Sequence, residues 1–333
     1  MSTDIPEEPH PVSSEEIIIK KRRNVRRRAL IVGINEYDDP ANSLSGCVAD
    51  AQDVAETLKI LEFPASRIKM LLDGQATAKG ILKGLDWLVK GAQAGDVLVF
   101  SYSGHGSYVV DLDNDEKDSR DEILCSCDID FDDPATYVTD DQLFESFTKK
   151  CPAGVRCDVF LDSCFSGSAT RSLIKKDVDV YKPAEVQKFK RQRFMPPPVN
   201  HQFRANSMIP MFTQTKPIGH SVVTKEIEQV TQNNCLWSGC QEYQYSVETV
   251  FDDQVRGAFT YYLMKILRAS NGNITRGQAY SILRSTIANE GFEQIPNLEL
   301  PSYDALNIIP LRKASQIDTQ AELEEQKEQK KRK

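Results

Sequence analysis

The sequence predicts an α/β fold in which helices cover both faces of a mostly parallel sheet. Short apolar runs, beginning with "ALIVGI" at residues 29–34, alternate with segments whose apolar residues recur at helical spacing. Such alternation is typical of parallel sheets, because each helix carries the chain back to start the next strand. In addition, the buried run "DVFLDSC" ends in a carboxylate and a thiol at Asp162 and Cys164. They fall at the carboxyl edge of the sheet, where ligands bind in such folds.

Each further element has its own pattern. The first helix, over residues 48–61, ends before Pro64, and the second contains two glycines that weaken it. The later strands are short apolar runs bounded by polar residues. In chain order we expect a strand at 68–72, a helix at 78–91, a strand at 97–101, a helix at 141–149, strands at 159–161 and 235–240, helices at 258–267 and 278–287, and a last strand at 306–309.

Composition narrows the function classes. The 333 residues are 40% hydrophobic and 27% charged, as in soluble globular proteins, and the net charge of −8 argues against nucleic-acid binding. No apolar run reaches membrane length and no hydrophobic leader is present. Eight irregularly spaced cysteines predict reduced thiols and a cytoplasmic protein without a zinc site.

A basic block near the amino end, Lys20 to Arg28, departs from the acidic balance. It could be a nuclear signal, a phosphate-binding arm, a solvated tail or a protease cleavage site. We favour a flexible tail that proteases reach, because the block follows a polar, proline-containing start. Residues 170–232, which are rich in Lys, Arg and Pro and without periodicity, predict a second irregular segment.

Cys164 and His105 together suggest nucleophilic catalysis. A nucleophilic thiol needs a base that takes its proton, and His105 in "SYSGHG" follows the third strand as Cys164 follows the fourth. Neighbouring parallel strands would bring both side chains to the same edge. Gly106 next to the histidine permits a close amide approach, so the amides of Gly106 and Cys164 are candidates for binding an oxyanion.

Both residues also have simpler interpretations. A free cysteine is often a small core hydrophobe, and a histidine between glycines is often a turn residue. Their joint placement at two strand ends weighs against both interpretations.

The motifs resemble a known family. "YSGHG" paired with "DSCFSG" resembles the caspase-like cysteine peptidases of clan CD, and "LSGCVADA" at residues 44–51 resembles the metacaspase branch. "SGCQEYQYS" and "GAFTYYLM" are similar to the small-subunit region of that family. The resemblance implies a three-layer caspase-like fold with a six-stranded, mostly parallel sheet. It divides the chain into a disordered tail (1–27), a large-subunit-like region (28–169), the irregular segment (170–232), a small-subunit-like region (233–312) and a charged tail (313–333).

The resemblance also implies a specificity pocket. Asp50, Ser103 and Asp162, with Cys47 beside them, match positions that line the primary pocket of metacaspases. Carboxylates there favour a guanidinium or ammonium group, so substrates should carry Arg or Lys before the cut bond. Two alternatives stay open: Asp50 as a carboxylate at a helix start, and Asp162 as a partner of loop amides.

Two expectations about regulation follow. Basic runs such as "KKRRNVRRR" and "KFKRQRF" would fit the pocket, which predicts self-cleavage in the amino tail or in the irregular segment. The acidic stretch 111–122 lacks the glycine of an EF-hand loop. The resemblance instead implies a calcium site at Asp121, Asp140 and Asp141, although the family's fourth ligand falls near Arg171. A solvated acidic loop is the alternative.

The sequence thus favours a cysteine endopeptidase with a Cys164–His105 dyad, acting as a monomer on proteins or peptides, without nucleic-acid or membrane partners. No third catalytic residue is evident. A non-catalytic scaffold with a caspase-like fold is the second hypothesis, and another hydrolase or transferase of this fold is the third.

Overall fold

The computed structural model describes residues 25–110, 120–164, 190–202, 234–241 and 244–313. Its centre is a six-stranded sheet made of β1 (Arg27–Gly33), β2 (Ile68–Leu72), β3 (Val97–Ser103), β7 (Arg156–Asp162), β9 (Asn234–Ser238) and β12 (Asn297–Glu299). Their order in the sheet is β12-β9-β7-β3-β1-β2. All pairs are parallel except that between β9 and β12.

Helices cover both faces of this sheet. Helices α1 (Cys47–Ile60), α4 (Ala258–Ala269) and α5 (Arg276–Asn289) pack on one face, and α2 (Ala78–Val89) and the short α3 (Asp140–Phe144) pack on the other. Strands β1 and β3 are buried along their whole length, which explains their apolar runs at residues 29–32 and 97–100. The predicted three-layer α/β architecture is confirmed.

Two small sheets flank the carboxyl edge of the central one. Strands β4 (Gly106–Val110), β5 (Arg120–Cys125) and β6 (Tyr137–Thr139) form an antiparallel sheet that starts one residue after His105. Strands β8 (Arg191–Gln192), β10 (Val247–Phe251) and β11 (Gln254–Gly257) form the other, with β10 in the middle. Both sheets therefore add walls beside the predicted site.

The prediction of the last strand was wrong. That strand is Asn297–Glu299, and the stretch expected as a strand at 306–309 begins inside a 3₁₀ turn over Tyr303–Asn307. The strand lies between Pro296 and Pro301, and three residues are enough to pair with β9 on the sheet edge. The helix expected at 141–149 begins at Asp140 and gives way to a π turn over Glu145–Lys149.

Parts of both expected irregular segments belong to the fold. Arg27 and Arg28 lie in β1 and are buried, and their guanidinium groups donate to the carbonyl oxygens of Leu61 and Trp87. The flexible-tail prediction is therefore wrong for these two residues, because backbone carbonyls at helix ends pair with the buried cations. Likewise, residues 190–202 are held against the protein, with Arg193 fully buried.

All eight cysteines are free and buried. None of the helices in the described residues is long and apolar enough to cross a membrane.

Candidate active site

The ends of β3 and β7 bring the two predicted catalytic residues to one edge of the sheet. The strands are parallel neighbours, with Ser103 paired to Asp162 in register. His105 and Cys164 each follow two residues later and are buried, with exposed fractions of 3% and 0%. Because the register is matched, the backbone leaves these two neighbouring strands at the same level of the sheet edge.

Main-chain and tyrosine contacts orient the imidazole of His105. Its Nε2 lies 2.7 Å from the carbonyl oxygen of Asn42. A carbonyl only accepts, so Nε2 carries the proton and Nδ1 is the basic nitrogen. Nδ1 is buried and has no hydrogen-bond partner within the described residues. The His105 amide also donates to the hydroxyl of Tyr37 at 2.8 Å. The Asn42 carbonyl and the Tyr37 hydroxyl thus fix the ring and the backbone of His105.

Burial sets the charge of this histidine. It lowers the pKa of His105 from 6.5 to about 4. Hydrogen bonds to the Asn42 and Arg193 backbone oppose this shift, and the cations of Arg191 and Arg193 reinforce it. His105 is therefore neutral near pH 7, which is the form that accepts a proton.

This pKa shift predicts a pH-dependent stability. As the pH falls from about 6.5 to 4, the unfolded chain binds a proton at His105 before the folded chain does, so the free energy of unfolding falls by roughly 3 kcal/mol from this group. Chemical denaturation at several pH values should show a steeper fall for the wild type than for His105→Asn. Equal slopes for the two proteins would contradict the buried neutral imidazole.

Cys164 lies beside a second thiol and an amide donor. Its Sγ accepts from the Ser246 amide at 2.7 Å and lies 3.9 Å from the Sγ of Cys240. The hydrogen bond to Cys164, together with burial, raises the pKa of Cys240 well above its usual value. Cys240 therefore stays a thiol, while an N–H group points at the sulfur of Cys164, as suits a thiolate.

Three carboxylates converge on one buried cation, the guanidinium of Arg193. Nη2 lies 2.5 Å from Asp50 Oδ2 and 3.5 Å from Glu248 Oε2, and Nη1 lies 3.1 Å from Asp162 Oδ2. Burial opposes its charge, but the carboxylates, with Asp162 contributing most, raise the pKa of Arg193 well above its usual value. The pocket therefore holds a full positive charge.

The carboxylates are fixed by other donors. Asp162 accepts from the hydroxyl of Ser246 at 2.5 Å and from the amide and hydroxyl of Thr260 at 3.1 and 2.7 Å. Asp50, in the first turn of α1, accepts from the Gly257 amide at 3.0 Å. Asp50 therefore is also the helix-start carboxylate of the first alternative, whereas the amide that Asp162 accepts belongs to helix α4 and not to a loop. Burial raises the pKa of Asp50 to about 7, aided by Asp162 and opposed by Arg193.

The backbone of Arg193 is held as firmly as its side chain. The amides of Gly106 and Cys164 both donate to its carbonyl oxygen, each at 3.1 Å, and its own amide donates to the Ser246 carbonyl at 3.0 Å. Residues Arg191 and Gln192 before it pair as an antiparallel strand with β10. Two amides that meet at one carbonyl oxygen have the arrangement of an oxyanion-binding site.

Two glycines make room for this pocket. A Cβ at Gly257 would lie 2.6 Å from Arg193 Nη1 and would also collide with Asp162. A Cβ at Gly33 would lie 2.6 Å from the Cys47 carbonyl, so this glycine lets α1 begin directly against the end of β1. That contact brings Asp50 under the sheet edge.

The other two pocket candidates, Cys47 and Ser103, lie beside the carboxylates that bind Arg193. Cys47 is buried at the start of α1, and burial raises its pKa well above the usual value, with Arg193 opposing. Ser103 ends β3 next to Asp162, and within the described residues its hydroxyl has no hydrogen-bond partner. Glu248, which the sequence analysis did not select, contacts Arg193 directly and accepts from the Ser45 and Gly46 amides at 2.9 and 3.0 Å.

The calcium candidates do not form a complete site on their own. Asp121 lies on β5, and Asp140 and Asp141 begin α3 after β6, the neighbour of β5. Across the described ranges, no three His, Cys, Asp or Glu side chains are grouped so that they could hold a metal ion. Residues 111–119 and Arg171 lie outside those ranges. The described residues thus do not show a fit to calcium.

Comparison with known proteins identifies relatives of this site. Residues 27–172 match the family model described as metacaspase, peptidase C14 domain. The chain is 29% identical over 269 residues to metacaspase-1 of Eremothecium gossypii, covering 72% of this chain and 57% of that protein. It is 29% identical over 289 residues to metacaspase-1 of Coccidioides immitis, covering 82% and 61%. The chain therefore spans about three-fifths of the length of these curated relatives.

Solved structures agree on the fold. Caspase-1 from Spodoptera frugiperda superposes with a TM-score of 0.54 at 14% identity, covering 87% of this chain and 92% of that one. A crystal structure of a Geobacter sulfurreducens protein gives a TM-score of 0.59 at 27% identity, covering 86% and 98%. The caspase-like fold expected from the sequence is confirmed.

Proposed function

We propose that the chain, whose residues 27–172 match the metacaspase peptidase C14 family model, is a cysteine endopeptidase that cuts after Arg or Lys through an acyl-enzyme. The observation that carries the proposal is Arg193. Its guanidinium fills a pocket of three carboxylates while its carbonyl oxygen receives the amides of Gly106 and Cys164. The chain itself thus occupies the site as a basic substrate would.

Each residue has a role in the proposed reaction. Nδ1 of His105 takes the proton of the Cys164 thiol, and the sulfur attacks the substrate carbonyl carbon. The amides of Gly106 and Cys164 stabilise the negative oxygen that forms. The C–N bond then breaks, and His105 gives the proton to the leaving amine. Water attacks the thioester, releases the carboxylate product and restores the thiol. The Asn42 carbonyl keeps the imidazole in the required tautomer.

The pocket chemistry favours basic over acidic substrates. A guanidinium or ammonium group satisfies the buried carboxylates, whereas an Asp side chain would add a fourth negative charge. Hydrolysis of fluorogenic peptides that end in Arg or Lys, without hydrolysis of matched Asp peptides, would support the proposal. If a folded wild-type chain hydrolyses none of them with or without calcium, the scaffold hypothesis is favoured instead.

Self-processing is part of the proposal, and the Arg193–Phe194 bond is its best-placed site. We expect the wild type to release a fragment that begins at Phe194, and the Cys164→Ala protein not to. Arg193→Gln should abolish that fragment because it removes the cation from the pocket. Arg191→Gln is the matched control, since Arg191 reaches the Ala41 carbonyl rather than the carboxylates. Mass spectrometry of the fragments measures the outcome, and the same fragments from Cys164→Ala would contradict it.

The amino block is a less favourable site for self-cleavage. Arg27 and Arg28 are buried in β1, and extended, accessible backbone is what a peptidase needs. A cut there would have to fall in the stretch before residue 25, which lies outside the described residues.

Calcium activation stays a proposal that rests on the family resemblance alone. Addition of CaCl₂ to the peptide assay, with EGTA and MgCl₂ as controls, tests it. An unchanged rate would show that calcium does not activate the enzyme, and the proposed chemistry would not change.

We also propose that the chain is a monomer, as the family resemblance implies, and sedimentation tests this. A cytoplasmic location is proposed from the reduced cysteines, and the absence of nucleic-acid partners from the net charge of −8.

A further inference from the structure

Phe194, which follows the buried Arg193, lies near two tyrosine rings. Its ring centroid is 6.4 Å from that of Tyr108, with the planes inclined by 22°. The centroid of Tyr245 is 6.2 Å away on a ring inclined by 54°. Offset-stacked and tilted pairs at such separations are the arrangements that aromatic side chains prefer. Phe194, whose preceding carbonyl oxygen at Arg193 accepts the two amides, thus has two aromatic neighbours.

The backbone holds this residue in a defined position. Phe194 forms a parallel bridge with Gly106, and the Met195 amide donates to the Gly106 carbonyl at 3.0 Å. Gly106 therefore binds the chain on both sides of Phe194, with its own amide on the Arg193 carbonyl. A substrate that follows the same path would place its own side chain at the position of Phe194.

Both tyrosines are tied to the residues that hold Arg193. Tyr108 lies on β4 two residues after Gly106, is only 4% exposed, and has the guanidinium of Arg120 4.4 Å from its ring centroid. Tyr245 directly precedes Ser246, whose carbonyl accepts the Arg193 amide. Each tyrosine is thus only one or two residues from a residue whose backbone bonds to that of Arg193.

We propose that Tyr108 and Tyr245 form a binding site for an aromatic side chain immediately after the cut bond, so that preferred substrates carry Arg or Lys followed by Phe, Tyr or Trp. The inference rests on the proposed endopeptidase function and extends it to the leaving side of the substrate. An aromatic ring gains contacts with both tyrosines that an alanine side chain cannot make.

Matched internally quenched peptides test this preference. Three peptides contain Arg-Gln-Arg followed by Phe, Leu or Ala, with all other positions equal, and the full wild-type chain is the enzyme. We expect kcat/KM for the Phe peptide to exceed that for the Ala peptide by about tenfold, with Leu between them. Residues 190–198 compete with all three peptides equally, so the ratios are not affected by that competition.

Variants assign the preference to the tyrosines. Tyr245→Leu and Tyr108→Leu should each reduce the Phe-to-Ala ratio to about threefold or less, because one ring pair is lost. Tyr303→Leu is the matched control and should keep the wild-type ratio, since Tyr303 is 83% exposed and lies in a 3₁₀ turn after β12. A ratio within one protein does not depend on the folded fraction, so a partly unfolded Tyr108→Leu sample still gives a valid answer.

The outcomes separate this inference from the function on which it rests. If the wild type cuts the Phe and Ala peptides at equal rates, or if both tyrosine variants keep the full ratio, the aromatic site is wrong and the endopeptidase stands. If the wild type cuts none of the peptides, the proposed function fails and the inference fails with it.

Discussion

Cys164→Ala is expected to lower kcat/KM on Arg-linked peptides by about a thousandfold or more, because it removes the thiol that forms the proposed acyl-enzyme. Cys164 is fully buried, and its sulfur accepts the Ser246 amide. Loss of that contact costs about 1 kcal/mol, so the chain should stay folded. Fluorogenic peptide kinetics together with circular dichroism measure both quantities.

Cys127→Ala is the matched control for this substitution. Cys127 is also a buried free thiol, but it lies beyond β5, and its amide donates to the Ala76 carbonyl. We expect the activity of this variant to stay within about a factor of two of the wild type. A small change in the core, away from the catalytic residues, mainly affects stability. Equal activities for Cys164→Ala and the wild type would remove the nucleophile from the account.

Asp50→Asn is expected to have the second-largest effect, with kcat/KM for Arg peptides reduced by about a hundredfold. Asp50 lies 2.5 Å from Arg193 Nη2, and neither side chain is exposed. Removing one partner of a buried, hydrogen-bonded charge pair costs about 2–5 kcal/mol, and each 1.4 kcal/mol corresponds to a factor of ten. Self-cleavage after Arg193 should slow as well, because the same pair holds that residue.

Asp53→Asn serves as the control on the same helix. Asp53 is about one turn further along α1 and pairs with Arg268 at 2.5 Å and with Arg256 at 3.6 Å. Its substitution should lower the stability slightly and leave kcat/KM for Arg peptides nearly unchanged. An equal loss for the two variants, with both folded, would show that the effect of Asp50 does not come from the pocket.

The sheet and the two strand-end residues could be predicted because their signals are local. Runs such as residues 29–34 and 97–101 are apolar since the strands are buried on both faces, and the residues after them define the sheet edge. The last strand was missed because three residues between two prolines carry little periodicity.

The basic run "KFKRQRF" pointed to the segment of Arg193, but Arg193 could not be singled out within it, since its position depends on contacts far along the chain. The pairing of β8 with β10 that places it joins residues more than fifty positions apart. The carbonyl of Asn42 could not be selected either, because every residue has one and only the tertiary structure aims it at His105.

Glu248 offered a weak signal that was not used. It lies in the strand "VETVF", in which Glu248 and Thr249 are both buried. A buried carboxylate needs a partner. The partner is the Arg193 cation together with two loop amides. A carboxylate in such a strand therefore marks a binding position.

The most direct test of the account is the site of covalent capture by a peptide chloromethyl ketone that ends in Arg. The Arg193→Gln chain is the reagent's target, because its own arginine no longer fills the pocket, and peptide mapping by mass spectrometry locates the adduct. The account predicts one adduct, on the sulfur of Cys164, which an Asp-ended reagent does not form. Labelling of Cys240 or another thiol in its place, or equal labelling by both reagents, would contradict it.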